Sequence, residues 1–394
     1  MARFGLIGLF LAGMLPFLYG CADDDAEDTG IADRVLLVYM AADNNLSAYA
    51  SASLNRLCEG MAQAPANTRS IVYLDTQGES PRLLEVTTNG AETLYVWDEA
   101  LNSTSADVMR SVIDKACEMA PASRYGLVLW SHGLGWLPVT ATAYYASRMA
   151  GNGNGEWPAV KFFGQDYNPD YVDGMETDEL VAAIPDGRFD YILFDACLMG
   201  SVEVLYALRE KADYIVSSPA EVITDSFPYD DIAGELLQSS PDLRAVCDAY
   251  YRYYAGHADA RYHAATVSLV ETAQLEPLAD ATAAVLAQAL ANDADALGAM
   301  DVSQVQTLDR DNPHVFFDME SVMDALEREE TIGNVTKETW TECLHRAVVY
   351  ERHTPTFFSL SLDECCGITM YVPLNNYADL NEAYALTEWY RRCY

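Results

Sequence analysis

The chain has 394 residues, 51% of them apolar, which is enough for one large core or two modest ones and excludes a disordered polypeptide. Its formal net charge is −37, and no basic patch interrupts the acidic composition, which excludes nucleic acid as a partner. Such a surface keeps a protein soluble and draws cationic ligands; solvation alone explains it equally well.

Residues 1–20 read as a targeting segment. Arg3 supplies its positive start, and 5–19 is an apolar run too short for a comfortable membrane span. The run ends in Leu18-Tyr19-Gly20-Cys21, which resembles the lipobox of bacterial lipoproteins, with Cys21 as the acylated first residue. An ordinary secretory signal followed by an incidental cysteine is the other reading. Residues 21–33 form an acidic tether that can bury nothing. Similar acidic stretches follow the acylated cysteine in surface-exposed lipoproteins of some Gram-negative bacteria. The resemblance implies an outer-membrane lipoprotein of the cell envelope, held to the membrane by its lipid, and leaves export to the outer face open.

Residues 34–40 are the first core strand. Asp43, Asn44 or Asn45 caps the helix that follows, in which Leu46, Ala50, Leu54, Leu57 and Met61 share one face, and Pro65 ends it. A second strand, 70–74, stops at Asp75. A hairpin over 82–86 and 93–97 turns at Asn89-Gly90. The helix carrying Val108, Val112, Ala116 and Met119 feeds a third core strand, 127–130. From 135 to 171 there is no stable period, and a loop of that length in a compact domain points to function. Thr177 caps a short helix, 178–184. Residues 191–194 are a short apolar strand, Val202, Leu205, Tyr206 and Leu208 recur at helical spacing, and 214–218 is a further strand.

This alternation predicts an α/β fold for 34–229: a mostly parallel sheet with helices on both faces. Residues 230–394 read as a C-terminal α+β subdomain extending the same sheet. It contains helices over 242–257 and 271–296, a strand over 264–270 between them, and a strand pair made by 356–362 and 367–372.

Two strand ends carry chemistry. One apolar strand runs into Ser131-His132-Gly133 and another into Asp195-Ala196-Cys197. Open α/β sheets place their sites at such carboxyl ends. A cysteine there, at or near the start of the next helix, is favoured as thiolate by helix-terminal N–H groups, and an imidazole on the neighbouring strand end is its proton acceptor.

The stretches SHGLGW and FDACLMGSVEV resemble the clostripain family of cysteine peptidases, in the clan that shares the caspase-type fold. Tyr39-Met40-Ala41-Ala42-Asp43-Asn44 and Cys366-Gly367-Ile368-Thr369-Met370-Tyr371 extend the likeness over most of the chain. The resemblance implies a caspase-like core. It implies a His132–Cys197 dyad, an acyl-enzyme on Cys197 and an oxyanion held by the backbone N–H groups of Gly133 and Cys197. No third residue that would orient His132 is identifiable.

Asp195 stands two residues before Cys197 on a strand and so shares its side, where a carboxylate suits a basic side chain. The family prefers Arg, sometimes Lys, before the cut, so protein or peptide substrates with such residues are expected. A strand-end aspartate capping the next helix is the other reading. Asp225 is a second candidate for the pocket. It lies in 218–229, where the family more often shows Pro-Gly-x-Gly-Trp, a departure that leaves the pocket open. Family members are often zymogens cut after a basic residue between the catalytic His and Cys. Arg148, with small residues before it and a Gly/Asn run after it, is the candidate here, ahead of Lys161 and Arg188; a solvated arginine on a surface loop is the alternative.

No cofactor is required by the sequence, and Ca²⁺ is a family expectation without an ordered ligand pattern. His257, His263, His314, His345 and His353 show no metal-ligand spacing, nor does the adjacent pair Cys365-Cys366. Of the nine cysteines, those left beside Cys21 and Cys197 are odd in number and irregular in spacing, so no disulfide framework follows. The rival to a peptidase is a catalytically inactive surface-binding lipoprotein on the same scaffold.

Overall fold

Strand β1 (Ala32–Ala42) is apolar from Val35 onward and covered there on both faces in the computed structural model. Val35, Leu37, Tyr39 and Ala41 enter one core cluster, and Leu36, Val38, Met40 and Ala42 the other. Two-sided burial is the mark of a central parallel strand. The structure describes residues 1, 30–139, 158, 166–168, 171–310 and 313–394. Cys21, Arg148 and Lys161 lie outside the described residues. Residues 31–394 make up one unit.

After β1, helix α1 (Ser47–Gly60) returns the chain to β2 (Thr68–Thr76), which is parallel to β1. β3 (Arg82–Thr87) and β4 (Gly90–Val96) form a hairpin on that edge. Helix α2 (Ala106–Met119) leads to β5 (Ala122–Trp130), parallel to β1 on its other side. A short hairpin, β6 (Asp166–Asn168) with β7 (Tyr171–Asp173), and helix α3 (Thr177–Ala183) precede β8 (Phe189–Asp195). Helix α4 (Val202–Ala207) and β9 (Ala212–Ser217) complete the parallel part of the sheet.

Helices α5 (Tyr229–Leu236) and α6 (Leu243–Ala255) follow, then β10 (Thr266–Glu271) and α7 (Leu275–Asn292). Next come β11 (Phe317–Asp318), α8 (Met319–Arg328), α9 (Asn334–Ala347) and β12 (Val348–His353). The chain closes with β13 (Thr356–Phe357), β14 (Leu360–Ser361), β15 (Thr369–Met370), α10 (Ala378–Tyr384) and α11 (Glu388–Cys393).

The nine-stranded sheet has the order β12-β10-β9-β8-β5-β1-β2-β3-β4. Its five inner strands, β9 to β2, are parallel, and both edges are antiparallel. Helices α1, α5 and α6 cover one face, and α2, α3, α4, α7, α8 and α9 the other. This is the caspase-like α/β fold expected from the sequence, with a C-terminal helix-and-strand extension that adds β10 and β12 to the sheet.

Three local readings are corrected. Thr177 is the first residue of α3 and not its cap. Glu176 caps it, in a reciprocal pairing with Glu179 that satisfies an end N–H at each residue. The predicted strand pair near the end does not form. β13 pairs with β14, whereas β15 pairs with β11, from a distant part of the chain. The edge strand β12 had no sequence signal: Val-Val-Tyr-Glu-Arg-His is charged and half-exposed, and its pairing with β10 makes it a strand.

The segment around β15 is stitched to the chain that follows β8. Thr369 N–H donates to Gly200 O at 3.0 Å, and Tyr371 N–H donates to Glu203 Oε1 at 2.9 Å. Burial pushes the Glu203 carboxyl up to about 7, against the pull of that N–H.

The β5–β8 contact depends on a glycine. Gly126 faces Tyr191 in the register, and a Cβ there would stand 2.1 Å from the Tyr191 ring. The ring is anchored, because its hydroxyl donates to Leu236 O at 2.7 Å. Gly126→Ala should therefore destabilise the fold by about 1–3 kcal/mol or more, read as a lower denaturant midpoint. An unchanged midpoint would mean that the ring yields freely.

Candidate active site

Four loops converge at the carboxyl end of the parallel strands: 43–46 after β1, 131–139 after β5, 196–201 after β8 and 218–228 after β9. The β5–β8 register pairs Leu129 with Phe194 and Trp130 with Asp195. Two residues beyond that last pair stand His132 on one chain and Cys197 on the other. Adjacent strands lie about 4.8 Å apart, so the register brings imidazole and thiol to neighbouring strand ends. Ser131 Oγ donates to Ala41 O at 2.7 Å and ties the His132 loop to β1.

The loop after β1 reaches His132. Asn45 Oδ1 lies 2.5 Å from His132 Nε2. An amide oxygen can only accept, so this contact places the proton on Nε2 and leaves Nδ1 as the basic nitrogen. Asn45 is the orienting residue that sequence reading missed. None of Asp43, Asn44 and Asn45 caps α1: Leu46 holds the N-cap position without a side-chain cap, and Asn44 Oδ1 accepts the Leu46 N–H at 2.8 Å.

Cys197 does not sit at a helix start, contrary to expectation. Helix α4 begins at Val202, after Ser201, and Cys197 lies upstream on a tight turn. Leu198 takes a left-handed φ of 62°, a strained conformation for a branched side chain. Gly200 is forced by space, since a Cβ would meet the Pro219 nitrogen at 2.6 Å. The polar environment of the thiol comes from the loop after β9. Val222 N–H donates to Cys197 Sγ at 3.0 Å, Leu198 N–H to Ala220 O at 2.8 Å and Gly200 N–H to Ser218 O at 2.9 Å. Cys197 is consequently 0% exposed and His132 3%. Gly133 is buried beside them.

Asp195 is also wholly buried. Its Oδ2 accepts the Tyr229 hydroxyl at 2.8 Å and the Phe227 N–H at 3.4 Å. Burial, then the Asp195 carboxylate, hold the Tyr229 phenol in its neutral form. It does not cap α4. Two buried tyrosines of α6 lie near it: burial, then Asp195, push the Tyr250 phenol up, and burial, then Tyr250 and Asp195, push the Tyr254 phenol up. The buried Tyr250 hydroxyl has no hydrogen-bond partner among the described residues, and its ring stacks on Phe227 at 4.2 Å. Asp225 is half-buried, and its carbonyl accepts from Arg56, which is paired with Asp230 at 2.6 Å. A separate cavity of about 370 Å³ around Arg34 and Asp190 takes in none of these residues.

The arrangement is that of a thiol and an oriented imidazole on adjacent strand ends, beside a buried carboxylate ringed by tyrosines. No curated protein sequence matches the chain. A solved structure described as an inactive zymogen of a C11 protease from Parabacteroides distasonis is 29% identical. It superposes with a TM-score of 0.77 over 92% of this chain and 99% of that one. A secreted C11 cysteine protease from Bacteroides thetaiotaomicron, solved with an irreversible peptide inhibitor, is 28% identical with a TM-score of 0.75 over the same 92% and 99%. The profile of the clostripain family (Peptidase_C11) matches residues 38–392. Matched from its first core strand to its last helix, the chain belongs to the clostripain family and is a cysteine peptidase.

Proposed function

We propose that the protein is an extracytoplasmic endopeptidase that cuts after Arg or Lys through a dyad of His132 and Cys197. The supporting observation is the β5–β8 register, which carries both residues to adjacent strand ends, with Asn45 directing the imidazole. His132 Nδ1 takes the thiol proton, and Cys197 Sγ attacks the scissile carbonyl. The backbone N–H groups of Gly133 and Cys197 receive the oxyanion. His132 returns the proton to the leaving amine, and water then hydrolyses the acyl-enzyme. Asp195 and Asp225 attract the basic side chain of the substrate, and the buried Tyr250 hydroxyl is a further acceptor. Ca²⁺ remains a family expectation.

A peptidyl-arginine acyloxymethyl ketone should label Cys197, and Cys197→Ala should abolish both labelling and hydrolysis. Asn45→Ala should slow turnover by less than the ~10²–10⁴-fold that the base itself supplies. Asp195→Asn should cut the preference for arginine over its neutral isostere citrulline by about 10- to 100-fold. A folded wild type, processed or not, that never labels would favour the inactive surface-binding scaffold. Equal use of arginine and citrulline by the wild type would remove Asp195 from recognition.

Cys197 lies under Val222, so the intact chain reads as a resting form. Of the basic residues between His132 and Cys197, Arg188 is engaged over the Tyr125 ring at 5.7 Å. Arg148, by its sequence context, is the proposed site of self-cleavage. Incubated wild type should yield a new chain beginning at Met149, absent in Cys197→Ala. Full activity while intact at Arg148 would exclude the step.

The motif Leu18-Tyr19-Gly20-Cys21 supports lipidation at Cys21 and an envelope location. The bacterial modification adds several acyl chains, enough to anchor firmly, whereas one chain would not. Wild type should then partition with membranes and Cys21→Ala should not. Equal membrane recovery of the two would rule the anchor out.

A further inference from the structure

Glu351 and His353 lie two residues apart on the edge strand β12, so their side chains share a face. They meet, with His353 Nδ1 2.5 Å from Glu351 Oε1. The thiol of Cys365 joins them from the loop after β14. One carboxylate oxygen, one imidazole nitrogen and one sulfur lie within 4.8 Å of one another, on three half-buried residues. We propose that Glu351, His353 and Cys365 form a site for a divalent ion of the zinc class, with water as the fourth ligand.

The donor set selects the ion. A mixed oxygen, nitrogen and sulfur set suits Zn²⁺ or Co²⁺, whereas Ca²⁺ and Mg²⁺ ask for oxygen throughout. The backbone brings the ligands together before any ion arrives. Gly367 has a φ of 93°, and a Cβ there would come within 3.0 Å of both Glu351 Cγ and Ser268 Cβ. Only glycine lets this loop press onto β10 and β12, and that approach delivers Cys365 to Glu351. From the other side, Asp318 Oδ2 accepts the Cys366 N–H at 2.6 Å, and Asp318 Oδ1 accepts the Ser321 N–H at 3.0 Å.

On binding a dication, the Cys365 thiol proton and the proton shared by His353 and Glu351 leave to solvent. Cys366 is not part of the cluster, for its Sγ donates to Ile368 O at 3.3 Å.

The site would clip the edge strand β12 to the 365–367 loop. The same strip of chain continues to Thr369 and Tyr371, which hold Gly200 and Glu203 just past Cys197. The ion therefore braces the peptidase site from behind and takes no part in its chemistry.

The test uses the full chain with Cys197→Ala, so that the nucleophile cannot take the metal. Zn²⁺ is measured by mass spectrometry after dialysis, and Co²⁺ by its thiolate charge-transfer band. We expect one equivalent per chain, a raised Tm and a sulfur-to-cobalt band. Cys365→Ser and His353→Ala should lose the band or bind at least ten-fold more weakly, while Cys366→Ser keeps both properties. Near-UV circular dichroism checks the fold. If Cys365→Ser fails it, Glu351→Gln, which keeps the side-chain shape, should show the same ten-fold loss. Absence of stoichiometric binding, or binding that survives these substitutions unchanged, overturns the site.

Discussion

The parallel pairing of β5 with β8 is the constraint on which the rest depends. Each backbone bond in that ladder fixes which residue of one strand stands beside which residue of the other, and the register ends with Trp130 beside Asp195. A slip of one residue would turn every side chain to the other face. Both faces are closed: Leu129 and Phe194 lie in one core cluster, Trp130 and Leu193 in the other. A slip would exchange the partners of both clusters at once, so burial holds the register, and the register holds His132 and Cys197 to neighbouring positions. Trp130 adds a polar lock, its Nε1–H donating to Ser226 Oγ at 2.9 Å in the loop that covers Cys197.

That covering loop gives the site its closed character. The chain from 218 to 222 runs along 197–200 and exchanges backbone hydrogen bonds with it, one of them ending on the sulfur. The positive φ values of Leu198 and Ser226 mark the two turns that bring the strips together. Strain of this kind persists only where surrounding packing over-determines it. The neighbouring carboxylates are steadied by phenols: Tyr229 donates to Asp195, and Tyr254 donates to the Ser226 carbonyl at 2.8 Å, which fixes the loop carrying Asp225. In the proposed peptidase, Asp195 and Asp225 are the carboxylates offered to the substrate's arginine or lysine.

The C-terminal half acts as a backing plate. β10 extends the sheet beyond β9, antiparallel to it, and β12 extends it further, antiparallel to β10. The strip 365–371 leaves the Glu351, His353 and Cys365 cluster at one end and at the other bonds to Gly200 and Glu203, just past Cys197.

Much of this was legible in the chain itself. Two-sided apolar strands such as 34–40 and 191–194, the Asn-Gly hairpin turn and the helices with regular apolar spacing are local patterns, and a local pattern predicts a local element. The SHGLGW and FDACLMGSVEV stretches carry the family because a strand end with its reactive residue is contiguous in sequence. What sequence did not reveal is what depends on partners far along the chain. Asn45 next to His132, Val222 on the sulfur, β15 against β11, and β12 as a strand at all are products of packing between distant segments, which no periodicity announces. The cap of α3 fell to Glu176 over Thr177, a choice between adjacent residues decided by the reciprocal bond with Glu179 and by the Val139 N–H that Glu176 also receives at 2.8 Å. Likewise the spacing of Glu351, His353 and Cys365 follows no metal motif, because the third ligand arrives on a loop that only the glycine at 367 allows to approach. Sequence determined the strands, helices and reactive residue types through short-range periodicity and chemistry. Tertiary structure alone decided which side chains meet at the strand ends, because burial and register act between residues that the chain keeps far apart.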